Sequence, residues 1–551
     1  MRAARFCAFL FPVAIVAACG PRGQQFGDGL DGGTNGGDAA GASDAPHFGD
    51  TGTSDSGTTT GIATCADAAA AKSYVGCDYW PTVTGNNVWS IFDFAVVVAN
   101  AGNQPAQITI TGPSSTNQTA TVAPGALQKF YLPWVASLKG PDSNGDGQAT
   151  PMTASVVAHG GAYHLTSTVP VSVYQFNALE YKPAGGPPNK DWSSCPNDYV
   201  ANIQCFSYSN DASLLLPSTA MTNNYRVMGQ KGWSNYGTPL MGPSFSVTAT
   251  ANGTVVTVKS SSTSQILAGG GIPAQTGVGQ FTIALDAGDV AEIVGQTGDQ
   301  DDLSGSLVTA QDAQHPIQLI TSLPCIDQPE GTVACDHIEE SVFPAETLGQ
   351  HYVVTVPTGP KANVVGHIVR IFGNVDGTTL TYNPSQPAGC PSTIDAGQVA
   401  DCGQVTSDFE VKGNHAFGVF SGMLGGQLLD PTASYQNAQG DPSQSFSVAV
   451  EQYRTSYIFL APSDYDVSFV DIVGPPGANV MVDGVPVGGF TPVGSSGYGV
   501  ARYQLGVGNA GAHDLTSDEP VGIQVMGYGQ YTSYQYPGGS DLMAIAPPPV
   551  K

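Results

Sequence analysis

Glycine or proline interrupts nearly every stretch of this chain in which a helix could otherwise grow. No segment longer than about ten residues keeps a convincing 3.6-residue apolar period without meeting one of them. The chain has 70 Gly and 40 Pro among 551 residues, and only 11% of its residues are charged. Long amphipathic helices need charged outer faces, so an all-α fold and a coiled coil are excluded. Hydrophobic residues make up 41%, with 22 Tyr and 21 Phe, enough to build real cores and to exclude wholesale disorder. What remains is β-structure. Ser90-Ile-Phe-Asp-Phe-Ala-Val-Val-Val98 is β-branched and aromatic. Phe245–Thr250 and Thr254–Val258 flank Asn252-Gly253, which reads as a hairpin turn, and Asn374-Val-Asp-Gly377 reads in the same way between Ile368–Phe372 and Thr378–Tyr382.

The β-signals repeat. A strand recurs as Pro170-Val-Ser-Val-Tyr-Gln-Phe176, Pro316-Ile-Gln-Leu-Ile320, His415-Ala-Phe-Gly-Val-Phe420 and Pro520-Val-Gly-Ile-Gln-Val525. Three of the four open on Pro, which a strand tolerates best at its first residue. Module starts recur too, as Leu216-Pro217 leading to Tyr225 and Phe343-Pro344 leading to Tyr352. Repeats of this length predict tandem β modules at 63–192, 206–324, 336–425 and 445–537. Seven strands near 225, 245, 254, 281, 290, 305 and 317 suit a β-sandwich. A β-propeller, whose four-stranded blades also repeat regularly, is the alternative.

Residues 1–18 read as a lipoprotein signal peptide: a basic start, an apolar run too short to cross a bilayer, then Val16-Ala-Ala-Cys19. Cys19 is the expected lipid attachment site. Residues 19–62, rich in Gly, Asp, Ser and Thr, are expected to be a disordered tether. The expected location is the bacterial outer membrane or cell surface, held by lipid. Eight further cysteines fall into close pairs, Cys65 with Cys77, Cys195 with Cys205, Cys325 with Cys335 and Cys390 with Cys402. Local disulfides are the simplest pairing, each worth about 2.5–3 kcal/mol by loop closure. They suit an oxidising compartment, whereas the spacing is too wide for zinc knuckles.

The net charge of −27 repels a phosphate backbone, so nucleic acid is excluded as a partner. The nine His show no HExxH spacing, no strand-to-helix Gly-x-Ser-x-Gly elbow is present, and the Gly-rich stretches lack the Lys of a phosphate loop. Two clusters carry candidate chemistry. Asp142, Asn144 and Asp146, followed by Gly147, match the first half of a calcium loop, although the twelfth position is Thr153 rather than Glu; a solvated Asx-rich turn explains the same residues. No other cofactor is expected. In the second cluster Asp336, His337 and Glu340 are candidate ligand-binding residues. The competing reading there is a turn after a disulfide, with Asp336 accepting backbone N–H groups and His337 packed at a module junction. Tyr528, Tyr531, Tyr534 and Tyr536 suit either a recognition surface or core packing.

Cys335-Asp-His-Ile-Glu-Glu340, with Phe343-Pro344, Leu348-Gly349 and Tyr352-Val-Val-Thr-Val-Pro357, resembles the motif region of the IgGFc-binding protein N-terminal domain family. Asp302-Leu-Ser-Gly305, His315-Pro-Ile317 and Cys325 fit the same family's module ending. The resemblance extends well over 210–535 and loosely over 63–205, where Lys72–Trp80 and Tyr174–Asn177 are similar to bacterial surface relatives. It implies a binding or adhesion protein without catalytic activity that recognises a protein or glycan ligand; immunoglobulin Fc enters through the family's name alone. A glycan-active hydrolase and a structural envelope spacer are the alternative readings.

Overall fold

A computed structural model describes residues 62–549, except 101, 144–149, 197–204, 208, 333, 435–436 and 506–510. Every described residue belongs to one of the chain's two units, His47–Lys551. The fold is all-β. Among the described residues the α-helices are the short Cys65–Ala71, Ala136–Lys139 and Gly426–Leu429.

Four times the chain builds the same run of four antiparallel strands, within sheets of seven, five, four and eight strands. From the inside outward the first runs Ala212–Leu215, His164–Asn177, Phe94–Ala99, Leu127–Leu132. The second runs Asp336–Ser341, Ile317–Ile326, Ser244–Ala249, Val290–Val294. The third runs Gln444–Phe446, Phe417–Met423, His367–Gly373, Val399–Val405. The fourth runs Thr532–Pro537, Gly511–Gly529, Val467–Gly474, Gly499–Gln504. Each inner strand touches the inner strand of the next sheet, and the fourth touches the first. The four sheets therefore stand around one axis like blades. Each also packs against further strands of its own module. In the second module these are Gly279–Leu285, Thr254–Ser260, Leu307–Ala310 and Asn224–Arg226. The repeat unit is thus a sandwich, and its inner sheet is a blade. The segments at the two ends of the ring meet: Ser73 bridges Asp541, and the Leu542 N–H donates to the Lys72 carbonyl at 2.8 Å.

Both expected hairpins are absent. Ser244–Ala249 and Thr254–Ser260 lie in opposite sheets, as do His367–Gly373 and Thr378–Asn383. Gly253 and Gly377 do turn the chain, at φ +71° and +68°, but they arch it from one sheet to the other. The flanking burial gives the reason. Ser244–Ala249 is buried on both faces, whereas Thr254–Ser260 alternates buried with exposed, so the two strands belong in different layers.

A tyrosine fixes the start of each module. The Tyr352 hydroxyl donates to the Phe417 carbonyl at 2.6 Å and accepts the Gly349 N–H at 3.0 Å. Tyr457 does the same with Val521 and with Arg454, three residues upstream. Tyr79 donates to Val171 at 2.6 Å, and Tyr225 accepts from Thr222. In three modules, through Tyr79, Tyr352 and Tyr457, one side chain so ties the entry to a later strand, in the manner of the tyrosine corner of sandwich folds. Disulfides close Cys65–Cys77, Cys195–Cys205, Cys325–Cys335 and Cys390–Cys402, the local pairs expected.

Buried polar ties join neighbouring modules. Arg370, 1% exposed, pairs with Asp302 and Asp401 and donates to the Gly229 carbonyl. This accounts for the Asp302-Leu-Ser-Gly305 motif: Asp302 pairs with Arg370, and at Gly305 (φ +85°) a Cβ would lie 2.1 Å from the Gly397 carbonyl oxygen. Arg502 clasps Asp408 at 2.8 and 2.9 Å between the third and fourth modules.

Candidate functional site

On the axis sits Asp211, fully buried. Its carboxylate accepts one N–H from each inner strand: Ala212 at 2.9 Å, Glu339 at 3.0 Å, Gln444 at 2.9 Å and Gln535 at 3.3 Å. Burial pushes its pKa up, opposed by the Gln444, Glu339 and Ala212 donors. The expected ligand residues surround it. Asp336, His337 and Glu340 are each 0% exposed. Asp336 opens a strand instead of a turn, accepting N–H groups from Asn210 and, at 2.8 Å, from His337. Glu340 accepts the Leu214 N–H at 3.1 Å, and the His337 ring lies 3.6 Å from Glu339. These side chains hold the ring together, and a partner arriving from solvent does not meet them.

Other expected residues are placed as follows. Asp142 accepts from the Ser90 N–H and hydroxyl at 2.8 and 2.7 Å and from Lys139 at 2.6 Å. Asn144 and Asp146 lie outside the described residues, as does Cys19. Among the described residues no three His, Cys, Asp or Glu side chains are grouped to hold a metal ion, and no helix is long and apolar enough to cross a membrane. Tyr528, Tyr531, Tyr534 and Tyr536 are at most 4% exposed, so the packing reading of this cluster holds.

A cleft of about 210 Å³ opens between the second and third modules, beside the Cys325–Cys335 loop. The hairpin Trp233–Asn235 with Thr238–Met241 forms one wall and brings Trp233, which packs against the buried cluster of Met241, Leu323, Cys325, Ile326 and Ile338. The disulfide loop supplies Asp327, Gln328 and Glu330; Lys231, Asp299 and Asp401 complete the charged lining. Asp327 is 4% exposed. One of its oxygens accepts the Gly331 N–H at 2.8 Å, while Oδ1 has no hydrogen-bond partner. Burial raises its pKa to about 6, against the lowering effect of the Gly331 and Trp233 N–H groups. At the hairpin tip Tyr236 is 84% exposed and adopts φ +47°. That left-handed conformation is uncommon for a bulky residue. Its hydroxyl reaches over Gly331, 3.2 Å from where a Cβ would stand. Sequence reasoning missed Trp233 and Tyr236. The available signal was Trp233-Ser-Asn-Tyr-Gly237, a turn sequence with two aromatics and no apolar alternation to bury both.

The arrangement offers an aromatic wall, buried acceptors and a rim of mixed charge, which is the equipment of recognition. The family model described as IgGFc binding protein matches residues 211–527, a span that contains the whole cleft. No curated protein matches the chain. A structure of an anti-sigma factor domain-containing protein from Clostridium clariflavum aligns at 9% identity over 81% of this chain and 98% of its own. A second anti-sigma factor domain-containing protein aligns at 11% over 63% and 88%. Both TM-scores are 0.11.

Proposed function

The chain belongs to the IgGFc-binding protein family, and from that membership we propose that it is an exported binding protein that captures a protein or glycan ligand and performs no catalysis. The observation that supports this reading is the cleft beside the Cys325–Cys335 loop, the described site where an aromatic wall, unpartnered acceptors and an exposed tyrosine coincide. Four disulfides suit life outside the reducing cytosol. In this reading lipid at Cys19 holds the protein on the outer membrane, and residues 19–62 carry the ring clear of the headgroups. A coil of that length reaches roughly 35 Å.

Immobilised Fc fragments, mucins and envelope polysaccharides form the test panel for surface plasmon resonance. At least one should bind saturably, and Trp233→Ala should weaken it by about tenfold or more, as loss of a buried aromatic anchor does. The double variant Asp336→Ala, His337→Ala should lower the melting temperature, because both side chains are buried in the ring. Turnover of a glycan or peptide by the purified protein, with no panel member bound, would overturn the proposal in favour of an enzyme. Membrane attachment is tested separately. Cys19→Ala should abolish lipid labelling and release the protein into the soluble fraction; retention of the variant, with an unlabelled wild type, would remove the anchor.

A further inference from the structure

Two neighbouring side chains of the cleft are buried with polar atoms left over. Asp327 keeps Oδ1 without a partner, and Gln328, 2% exposed, keeps both Nε2 and Oε1. An unpartnered buried polar atom costs about 1–3 kcal/mol, so a ligand that completes these atoms gains that much from each of them. The requirement they set is specific. Gln328 Oε1 calls for a donor, as does the part of the Asp327 carboxylate that the neighbouring Trp233 N–H does not serve, whereas Gln328 Nε2 calls for an acceptor.

Simple ions fail that requirement. A metal cation or a lysine or arginine side chain brings no acceptor for Gln328 Nε2. A carboxylate or phosphate brings no donor and meets Asp299, Asp327, Glu330 and Asp401. Hydroxyl groups donate and accept together, and adjacent hydroxyls on one ring would address adjacent side chains in a chain segment such as Asp327-Gln328. The ring's C–H face would then lie on Trp233, with a half-buried indole as its platform. At about 210 Å³ the cleft falls below the roughly 300 Å³ at which drug-sized sites begin, so it admits one ring and not a chain of them. Tyr236, 84% exposed with its hydroxyl over Gly331, follows the lining residues Trp233 and Ser234 in the chain and offers a further aromatic surface to the next residue of a glycan.

We propose that this cleft is a monosaccharide subsite that holds one neutral pyranose residue of a glycan, with Asp327 and Gln328 on its hydroxyls and Trp233 on its face. The proposal rests on the binding reading above and names its ligand class.

The test titrates the purified full chain with glucose, galactose, mannose, N-acetylglucosamine and N-acetylgalactosamine. Saturation-transfer NMR and tryptophan fluorescence supply the two readouts. One of the sugars should bind saturably in the millimolar range and perturb the indole signal. Asp327→Asn keeps the side chain's shape, and Lys231→Met keeps its length. Asp327→Asn should weaken binding by about tenfold or more through loss of a charge-assisted hydrogen bond, with an unchanged thermal melt. Lys231→Met should weaken it by a smaller factor. No binding by any of the five, or unaltered affinity in Asp327→Asn, would overturn the assignment. The two readings fail separately. A mucin or Fc fragment that still binds after enzymatic deglycosylation, uncompeted by free sugar, would leave the binding function standing and remove the sugar site. If neither sugar nor macromolecule binds, both fall.

Discussion

Asp211→Asn is expected to destabilise the ring by at least about 2 kcal/mol, and Asp211→Ala by roughly 4 kcal/mol or more. The carboxylate is the shared acceptor for four N–H groups, one from each inner strand. Asparagine preserves the volume but replaces one oxygen with an N–H₂ group, so two backbone donors would face another donor. Alanine leaves all four without an acceptor in a fully buried place. Measured against a typical total of about 5–15 kcal/mol, the alanine variant should accumulate poorly, with an early, broadened melt. Chemical denaturation of both variants checks the order: wild type, then Asn, then Ala. A wild-type melt for Asp211→Asn would show that the four N–H groups are satisfied in another way and that the axis is not held at this residue.

That central role was the part of the fold least visible in the sequence. The seven strands expected between 225 and 317 are present because their alternation or apolar runs are read directly from side-chain type. The inner strand Asp336–Ser341 carries no strand signal of its own and suits a turn after the disulfide equally well. Its residues, Asp-His-Ile-Glu-Glu-Ser, are polar, and burial of a polar strand is legible only once the other three inner strands are known to surround it. Asp211, in Ser209-Asn-Asp-Ala212, carries an ordinary turn signature for the same reason. Local chemistry also misled at Gly253 and Gly377: a left-handed glycine reports a chain reversal, and it does not report whether the flanking strands pair or arch between layers. The module starts were half legible. Tyr225 and Tyr352 stood out with their Pro-led approach, whereas Tyr79 and Tyr457 take the same hydroxyl position without that flanking pattern. The cleft drew no notice because its two aromatics sit in a hairpin whose purpose depends on a neighbouring module. The candidate residues at 336–340, chosen next to the correct disulfide, lie on the interior side of it.

Raising the pH from 6.5 to 8 should lower the melting temperature, and Glu292→Gln should flatten that slope. Glu292 is 0% exposed and accepts the Gly85 N–H at 2.9 Å and the Ser244 hydroxyl, joining the first and second modules with no cation beside it. Burial raises its pKa from 4.5 to about 8. The folded state then holds a proton that the unfolded chain has released. Such a group contributes its full stability below about pH 4.5 and loses it as the pH climbs to 8. Within that window one group accounts for roughly 1.4 kcal/mol per pH unit. Burial shifts Asp301 and Asp471 in the same direction, each to about 7, and raises Glu180 as well. His367 opposes them at lower pH: buried and lowered to about 3, it favours the folded state more as the pH rises towards 6.5 and then adds no further change. The interval from 6.5 to 8 is therefore where the carboxyl groups act unopposed by it. Glutamine keeps an acceptor for Gly85 and Ser244 and has no proton to lose, so the variant should gain on the wild type by about 2 kcal/mol across that interval. Thermal melts at matched ionic strength read the difference directly. Parallel curves for the two proteins would mean that Glu292 is ionised in the folded ring and that the pH dependence arises elsewhere.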